Sequence, residues 1–482
     1  MSWEMVIGLE VHCQLATKTK LFCACPTDGF GAPANSRVCP VCTGQPGALP
    51  VLNAAAVELA FTAALALQCK LAERSVFARK NYFYPDLPKA YQISQFELPF
   101  STDGRLDFVL KDGSRKTTRI HRIHMEEDAG KLLHDIGAEE LDCSLVDFNR
   151  GGTPLIEIVT EPDIRGSEEA YGYLSALKEI IQYAGVSRCD MEKGEMRCDA
   201  NVSVRKAGEK FGTRAEIKNL NSFKGVKDAI EYEFRRQVEV LDGGGRIVQE
   251  TRLWDAVKQA TFSMRSKEEA HDYRYFPDPD LVPLVADPRW VAMLKAALPE
   301  LPAARRARFI SEFQLSSYDA EVLTSDRQLG DLFSSAVSGL DAGGAKTLAN
   351  IMTGELSSRL NAEKVSAAQA PVKASALASL VALTQAGVLS SKGIKEVFPK
   401  MWETGKDPKD LVAELGLSQV SDESQVRDWV KAALADNPQA AEDLRGGKER
   451  AIGRVVGAVM KLSKGKANPA LVNRLIKETL NP

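Results

Sequence analysis

Leu9-Glu10-Val11-His12-Cys13-Gln14-Leu15 alternates strictly between apolar and polar side chains. A period of two marks a strand whose two faces differ. Glu10, His12 and Gln14 therefore share one face, and Leu9, Val11, Cys13 and Leu15 share the other. The pattern returns at 198–205, where Asp199, Asn201, Ser203 and Arg205 alternate with Cys198, Ala200, Val202 and Val204. It returns again at 214–220, grouping Arg214, Glu216 and Lys218. These last two runs, joined by a Gly-containing connection, read as an antiparallel hairpin with a polar face. Residues 168–184 read as a helix: Ser167 caps it, Glu168 and Glu169 sit at its positive end, and Gly185 closes it. Strands and helices that do not follow strict βαβ order give an α+β class.

Outward from these runs, the 482 residues are too many for one ordinary core, and two to four domains are expected. Hydrophobic residues at 44% and charged residues at 26% are a normal globular balance. The net charge of −3 excludes a polycation, so contact with nucleic acid must come from a local patch. The opening MSWEMVIGLEVH lacks the basic start of a signal peptide, and no run reaches the roughly 18 apolar residues of a membrane span. Nine cysteines without an export signal argue against a disulfide scaffold and for a cytoplasmic protein with no membrane contact. Breaks at Leu298-Pro299-Glu300-Leu301-Pro302 and Gly405-Lys406-Asp407-Pro408 suggest a strand-rich domain over 1–295, a helical domain over 296–405 and a small helical tail over 406–482.

Three features carry chemistry. Cys23-Ala-Cys25 and Cys39-Pro-Val-Cys42 are two close pairs that could supply four thiolates to a tetrahedral Zn²⁺, stapling a Gly- and Pro-rich loop. Four ordinary thiols, or a redox CxxC, are the other readings. Cys13, Cys69, Cys143, Cys189 and Cys198 have no such neighbours and are expected in the core. Carboxylates also recur on strands. Glu10 shares a face with His12, His124 with Glu126, and Glu157 interrupts the apolar run 155–159, while Asp199 and Glu216 come from the hairpin. Converging acids suit Mg²⁺, which takes hard oxygen ligands. The alternative is ion pairing with Arg119, Arg122, Arg197 and Arg214. Finally, Arg79-Lys80-Asn81-Tyr82-Phe83-Tyr84-Pro85-Asp86-Leu87-Pro88-Lys89 interleaves cations with aromatics and prolines, a mix able to stack on bases and touch phosphates, or else to form a packed loop with a solvated rim. The chain has no GxxxxGK[ST], no GxGxxG opening a helix and no GxSxG.

Ordered motifs along nearly the whole chain resemble one family, the B subunit of the aspartyl/glutamyl-tRNA amidotransferase (the GatB/GatE family). They are Val6-Ile-Gly-Leu-Glu-Val-His12, Cys39-Pro-Val-Cys42, Gly44-Gln-Pro-Gly-Ala-Leu-Pro50, Arg79–Pro88, His124-Met-Glu-Glu-Asp-Ala-Gly-Lys131, Asp147–Leu155, Met196–Ser203, Glu216–Asn221 and Asp272–Leu281. The tail follows in Val455–Lys461 and Lys464-Gly-Lys-Ala-Asn-Pro469, departing from the family at Arg454 and Ala458. The resemblance implies a cradle-like catalytic domain with a mainly antiparallel sheet, a helical domain and a helical tail that binds tRNA. It implies structural zinc on Cys23, Cys25, Cys39 and Cys42, and a Mg²⁺/ATP site at Glu10, His12 and Glu126, with Asp199 and Glu216. Glu157 is added because a carboxylate in an apolar run is costly unless used. Glu127 replaces Glu126 if the pairing register turns it inward.

The implied reaction is ligation. ATP phosphorylates the side-chain carboxylate of misacylated Glu-tRNA(Gln) or Asp-tRNA(Asn), and ammonia then displaces phosphate to give the amide. From their place on the polar face of the hairpin, and not from the resemblance, Lys218 or Arg214 would offset phosphate charge. No nucleophile with an organised base is evident for releasing ammonia from glutamine, so the resemblance assigns that step to an A subunit within a heterotrimer completed by a small C subunit. The misacylating synthetase is a further expected partner. Arg79, Lys80 and Tyr82, with Lys461, Lys464 and Lys466 of the tail, are the candidate tRNA contacts. Residues 441–482 carry nine Lys/Arg against four Asp/Glu, whereas 401–440 carry four against eight. The basic charge is thus gathered at the tail. A zinc-stapled tRNA-binding scaffold without phosphoryl chemistry is the competing class. The archaeal-type E subunit is the rival within the family, and its large insertion finds no room before residue 300.

Overall fold

The computed structural model describes residues 2–136, 139–266, 273–419, 422–446, 448–463 and 466–480. The chain divides into two compact units, Met1–Leu301 and Pro302–Pro482.

The first unit is built on a nine-stranded sheet. Its strands are β1 (Trp3–Gln14), β2 (Lys70–Leu71), β3 (Ser101–Val109), β4 (Arg115–Glu127), β5 (Pro154–Thr160), β6 (Met196–Lys206), β7 (Ala215–Leu220), β8 (Glu250–Asp255) and β9 (Ala260–Ser266). Their order is β9-β8-β7-β6-β1-β5-β4-β3-β2, which places the first strand in the middle. Every pairing is antiparallel except β7 with β8. Parallel neighbours need a crossover, and helix α3 (Phe223–Asp242), capped by the Ser222 hydroxyl, supplies it.

The central strands bury their apolar sets on the same side. Leu9, Val11 and Cys13 of β1, Ile156 and Ile158 of β5, Ile123 and Met125 of β4, and Ala200 and Val202 of β6 join one core. Helix α2 (Ser167–Tyr183) lays Ala170, Tyr173, Leu174, Leu177 and Ile181 into it, the spacing of one helical stripe. Helix α1 (Ala54–Ala66) adds Ala56, Ala60, Phe61 and Ala64. Burying each large aliphatic side chain contributes about 1.5–3 kcal/mol. The sheet is therefore held from one face, and its other face is left to polar groups.

Three local expectations are corrected. Ser167 is not the cap of α2. Gly166 is, without a side-chain bond, and the Ser167 hydroxyl instead donates to Glu231 on α3. Arg214 falls just before β7 and is exposed, because the strand begins at Ala215. Cys143 is exposed rather than in the core, lying on the two-stranded Lys131–Ile136/Glu139–Asp147 ribbon; Cys13, Cys69, Cys189 and Cys198 are buried.

The second unit is helical. Aspartates and serines start its helices: Ser316, Asp326, Asp341, Ser390, Asp407 and Asp422 each accept a backbone N–H of the first turn. It contains two buried clusters. One gathers residues from Phe309 to Val412, and the other from Val426 to Ile476. Among the described residues, no helix is long and apolar enough to cross a membrane.

Candidate active site

Register decides what meets on the polar face. Directly paired residues in an antiparallel ladder point the same way, and two rows cross the sheet. In the first, His124 pairs with Glu157, Glu157 with His12, and His12 with Arg197. In the second, Arg122 pairs with Val159, Val159 with Glu10, and Glu10 with Asp199. Glu216 is brought in from β7 opposite Asn201.

The six candidate metal ligands fall into two adjacent groups. In one, ligand atoms of His12, Glu126 and Glu157 lie within 4.8 Å of one another; in the other, those of Glu10, Asp199 and Glu216 do. His12 Nε2 stands 3.4 Å from Glu126 Oε1 and 3.5 Å from Glu157 Oε2, and His124 Nε2 stands 3.1 Å from Glu157 Oε2. An octahedral Mg²⁺ at about 2.1 Å from its ligands sets neighbouring ones about 3 Å apart. The first group therefore fits such an ion with little movement. Burial opposes the charged form of His12, yet the Glu126 and Glu157 carboxylates outweigh it and push its pKa up to about 10. Burial likewise raises Glu126 and Glu157, but the two imidazoles hold both below the usual carboxylate range.

The second group is richer in acid. Asn201 Nδ2 donates to Glu10 Oε1 at 2.9 Å, and Thr251 Oγ1 donates to Glu216 Oε2 at 3.1 Å. Lys218 Nζ sits 2.5 Å from Asp199 Oδ2 and 3.1 Å from Glu216 Oε1. Burial, then Glu157, Glu216 and Asp199, raise the Glu10 pKa. The arginines considered as partners for these acids are engaged elsewhere. Arg119 pairs with Asp163, Arg197 with Asp128, and Arg122 lies against the Phe96 ring and carbonyl.

Glu127 faces away from these groups. Its carboxylate meets the Lys89 ammonium and accepts the Ile93 N–H at 3.0 Å. It lines a cavity of about 270 Å³ with Arg79, Lys89, Tyr91 and Asp280.

Cys23, Cys25, Cys39 and Cys42 come together, with all four sulfurs within 4.8 Å of one another and Cys39 and Cys42 at 3.9 Å. Tetrahedral Zn–S bonds of about 2.3 Å separate sulfurs by about 3.8 Å, so the set fits zinc. Of the four, Cys42 is the one whose ionised form its surroundings favour. The Cys23 thiol, the Cys39 N–H and the Lys20 ammonium outweigh burial and bring its pKa down to about 4, and the same contact raises Cys23. Lys20 is fully buried, with Nζ 3.6 Å from Cys42 Sγ and 3.2 Å from the Phe148 carbonyl. Nothing in the local sequence marks it. A lysine inside a thiolate cluster becomes visible only in three dimensions.

The candidate tRNA contacts are dispersed. Arg79 is held by Asp278 and Asp280 and stacks on Tyr91, so its charge is spent internally. Lys80 lies over the rings of Tyr82 and Tyr273, while Phe83 and Tyr84 are the exposed aromatics of that stretch. In the second unit Lys461 and Lys466 are exposed. Lys464 lies outside the described residues.

Comparison with known proteins identifies the family. Residues 5–292 match the GatB/GatE catalytic domain, and residues 331–480 match the GatB domain. The B subunit of the aspartyl/glutamyl-tRNA(Asn/Gln) amidotransferase from Carboxydothermus hydrogenoformans is 52% identical over 479 residues, 99% of each chain. The protein of the same name from Geotalea uraniireducens is 54% identical over 482 residues, the whole of each chain, and that from Brevibacillus brevis 52% identical over 481, 99% of each. The nine-stranded sheet with its acid-lined face lies inside the matched catalytic domain but for the first two residues of β1, and with relatives this similar over their full length the chain belongs to the GatB/GatE family.

Proposed function

We propose that this chain is the B subunit of a tRNA-dependent amidotransferase, a ligase that converts the misacylated residue of Glu-tRNA(Gln) or Asp-tRNA(Asn) to its amide. The observation that carries the proposal is the convergence of His12, Glu126 and Glu157 beside Glu10, Asp199 and Glu216 on the polar face of the sheet. The oxide of a carboxylate is a poor leaving group. Transfer of the γ-phosphoryl group of ATP to the side-chain carboxylate releases ADP and makes an acyl phosphate; ammonia then forms the C–N bond as phosphate leaves. The two groups would hold divalent cations, which lower the charge on the phosphates when bound.

The rest falls to the chain's own side chains. The Lys218 ammonium stands beside the second group, where a phosphoryl oxygen would arrive. The rigid β1 and β6 ladder fixes the carboxylates relative to one another, which supplies the positioning that in-line transfer requires. Arg214 is exposed at the mouth of β7, and its part in binding phosphate is the weaker half of the pair expected from the sequence. The four cysteines would bind zinc as a structural staple. Ammonia would come from a glutaminase A subunit, with a C subunit completing a heterotrimer that works in the cytoplasm and meets the misacylating synthetase. The helical unit, with Lys461 and Lys466 and the nearby basic charge, would hold tRNA by its phosphates.

The test is tRNA-dependent ATP hydrolysis and amide formation by the assembled complex on each misacylated tRNA, comparing Glu10→Gln and Glu126→Gln with the parent. Each substitution is expected to lower turnover by at least about a hundredfold. Full turnover in both would leave a tRNA-binding scaffold as the better reading.

A further inference from the structure

The cavity of about 270 Å³ reaches Cys23 and Cys42, and among the described residues three cations line it: Lys20, Arg79 and Lys89. Two of them have carboxylates. Arg79 is held by Asp278 and Asp280, and Lys89 by Glu127. Among the described residues Lys20 has none. It is 0% exposed, and its ammonium meets Cys42 Sγ at 3.6 Å and the Phe148 carbonyl at 3.2 Å. A buried charge is costly unless an opposite charge faces it, and a carbonyl offers only a dipole. The anionic partner of Lys20 is therefore the cysteine cluster.

The backbone and a neighbouring glycine hold the lysine in this position. The Lys20 N–H donates to the Cys25 carbonyl at 2.9 Å, which ties it to the first cysteine pair. The Leu21 N–H donates to the Gly152 carbonyl at 2.9 Å, and the Gly152 N–H to the Asp128 carbonyl at 2.8 Å, which ties the same segment to the end of β4. Gly152 has a φ of +82°, and a Cβ there would lie 3.4 Å from Lys20 Cδ and 3.5 Å from Cys42 Cβ. The bare backbone at 152 thus leaves the passage through which the lysine stem reaches the sulfur. A divalent zinc ion on four thiolates leaves two negative charges on the site. One ammonium against it cancels one of them, and its N–H draws electron density from the Cys42 sulfur.

We propose that Lys20 is the built-in counter-cation of the four-cysteine site, slowing both the release of its metal and chemical attack on its sulfurs. The inference rests on the zinc reading in the proposed function, and it adds to the four ligands a residue that touches sulfur and not metal. Lys20 is a positioning residue. Metal leaves a thiolate site as its sulfurs detach, and a detached sulfur is open to an alkylating agent or an oxidant. An ammonium bonded to Cys42 acts on both steps. It holds that sulfur in place, and it makes the sulfur a poorer nucleophile.

The test compares the full chain, loaded with zinc, as parent, Lys20→Met and Lys20→Gln. Methionine keeps the apolar stem without the charge, and glutamine keeps a donor without the charge. Transfer of zinc to an excess of a chromogenic chelator is expected to be roughly 10–100-fold faster in Lys20→Met than in the parent, with Lys20→Gln between them. Metal lost from Lys20→Met during purification, with Lys20→Gln loaded and fast, is the same result at its extreme. With Co²⁺ in place of zinc, the sulfur-to-metal charge-transfer band should move to longer wavelength in both variants, because a sulfur without a neighbouring positive charge gives up its electron more easily. A role in packing alone would not move that band. Alkylation by iodoacetamide, mapped by peptide mass, should rise at Cys42 relative to Cys23, Cys25 and Cys39 in Lys20→Met. Gly104→Ala, which strains the core of the same unit against Cys69, should keep the parent's exchange rate and band. Parent rates and band in both Lys20 variants, or equal acceleration in Gly104→Ala, would overturn the proposal and leave the zinc site standing. A parent that holds neither zinc nor cobalt would remove the zinc reading and the proposal together.

Discussion

Substituting Cys39 by serine tests the zinc reading at a place where its energetic effect can be worked out. From Leu15 to Asn53 the chain forms no helix or strand. Its buried apolar groups there are Leu15, Leu21, Phe22 and Cys42. So small a core cannot offset the ordering of nearly forty residues, at roughly 1–2 kcal/mol of backbone entropy each. A cross-link between the Cys25 and Cys39 ends closes a loop of about 15 residues, worth about 3 kcal/mol in chain entropy. Loss of the fourth thiolate should release most of that locally, raising the open population of the segment by roughly a hundredfold. Cleavage by a dilute protease tracks that population when reclosing is fast. Purified parent protein is expected to carry one zinc per chain and to resist cleavage between Pro26 and Val38. Cys39→Ser should lose metal and be cut about a hundredfold faster, and Cys143→Ser, at an exposed site, should match the parent. A zinc-free parent, or equal cleavage of Cys39→Ser and parent, refutes the staple.

Other outcomes follow from single contacts. Asp319 is pushed up by burial but held below its ordinary pKa by the Lys346 ammonium and the Ser316 hydroxyl. A depressed carboxyl stabilises above its unfolded value, and the gain is lost as pH falls through the folded one. Lys346→Met should therefore lower helical-unit stability by about 1 kcal/mol at neutral pH, and denaturant melts should show the gap closing as the pH falls below the ordinary aspartate value of about 4. Replacing exposed Lys461 and Lys466 together by alanine should weaken tRNA binding alike for all sequences and reduce the salt slope of log K by about one to two, read by filter binding across salt. An unchanged slope would place the tRNA elsewhere. At Gly104 a Cβ would lie 2.3 Å from Cys69 Sγ and 3.0 Å from the Leu67 carbonyl. Gly104→Ala should cost roughly 1–3 kcal/mol, with partial recovery in Gly104→Ala/Cys69→Ala by thermal melt.

The polar face is legible in the sequence because alternation alone assigns side. Glu10, His12, Asp199 and Glu216 are read to one face from their own neighbours, and the structure puts them there. What alternation cannot supply is the offset between strands distant in sequence. That offset sets His12 opposite Glu157 and Glu10 opposite Asp199, and so splits one expected site into two. The choice between Glu126 and Glu127 is of the same kind, a matter of which face β4 turns inward. Arg214 escapes the pattern because the strand starts one residue later than alternation suggests. Local preference makes Ser167 a cap, but a bond to Glu231, 64 residues away, claims its hydroxyl. Arg79 reads as a free cation in sequence because Asp278 and Asp280 are 199 and 201 residues distant.

The same separation of scales explains how the protein carries so charged a surface. Paired rows place like charges on neighbouring strands, with Glu10 opposite Asp199 and Glu216 close by. Like charges directly opposite one another destabilise a ladder. A sheet selected only to fold would fill this face with aliphatic side chains, as it does on the other. Here the burial needed for stability comes from the Leu9, Val11, Ile156, Ile158 face and the helices packed on it. The two faces are independent because successive side chains of one strand point in opposite directions. Even-numbered positions of β1 are thereby free to hold charge that the odd-numbered ones need not share. On this face Lys218, His12 and His124 are the chain's own counter-charges to the carboxylates.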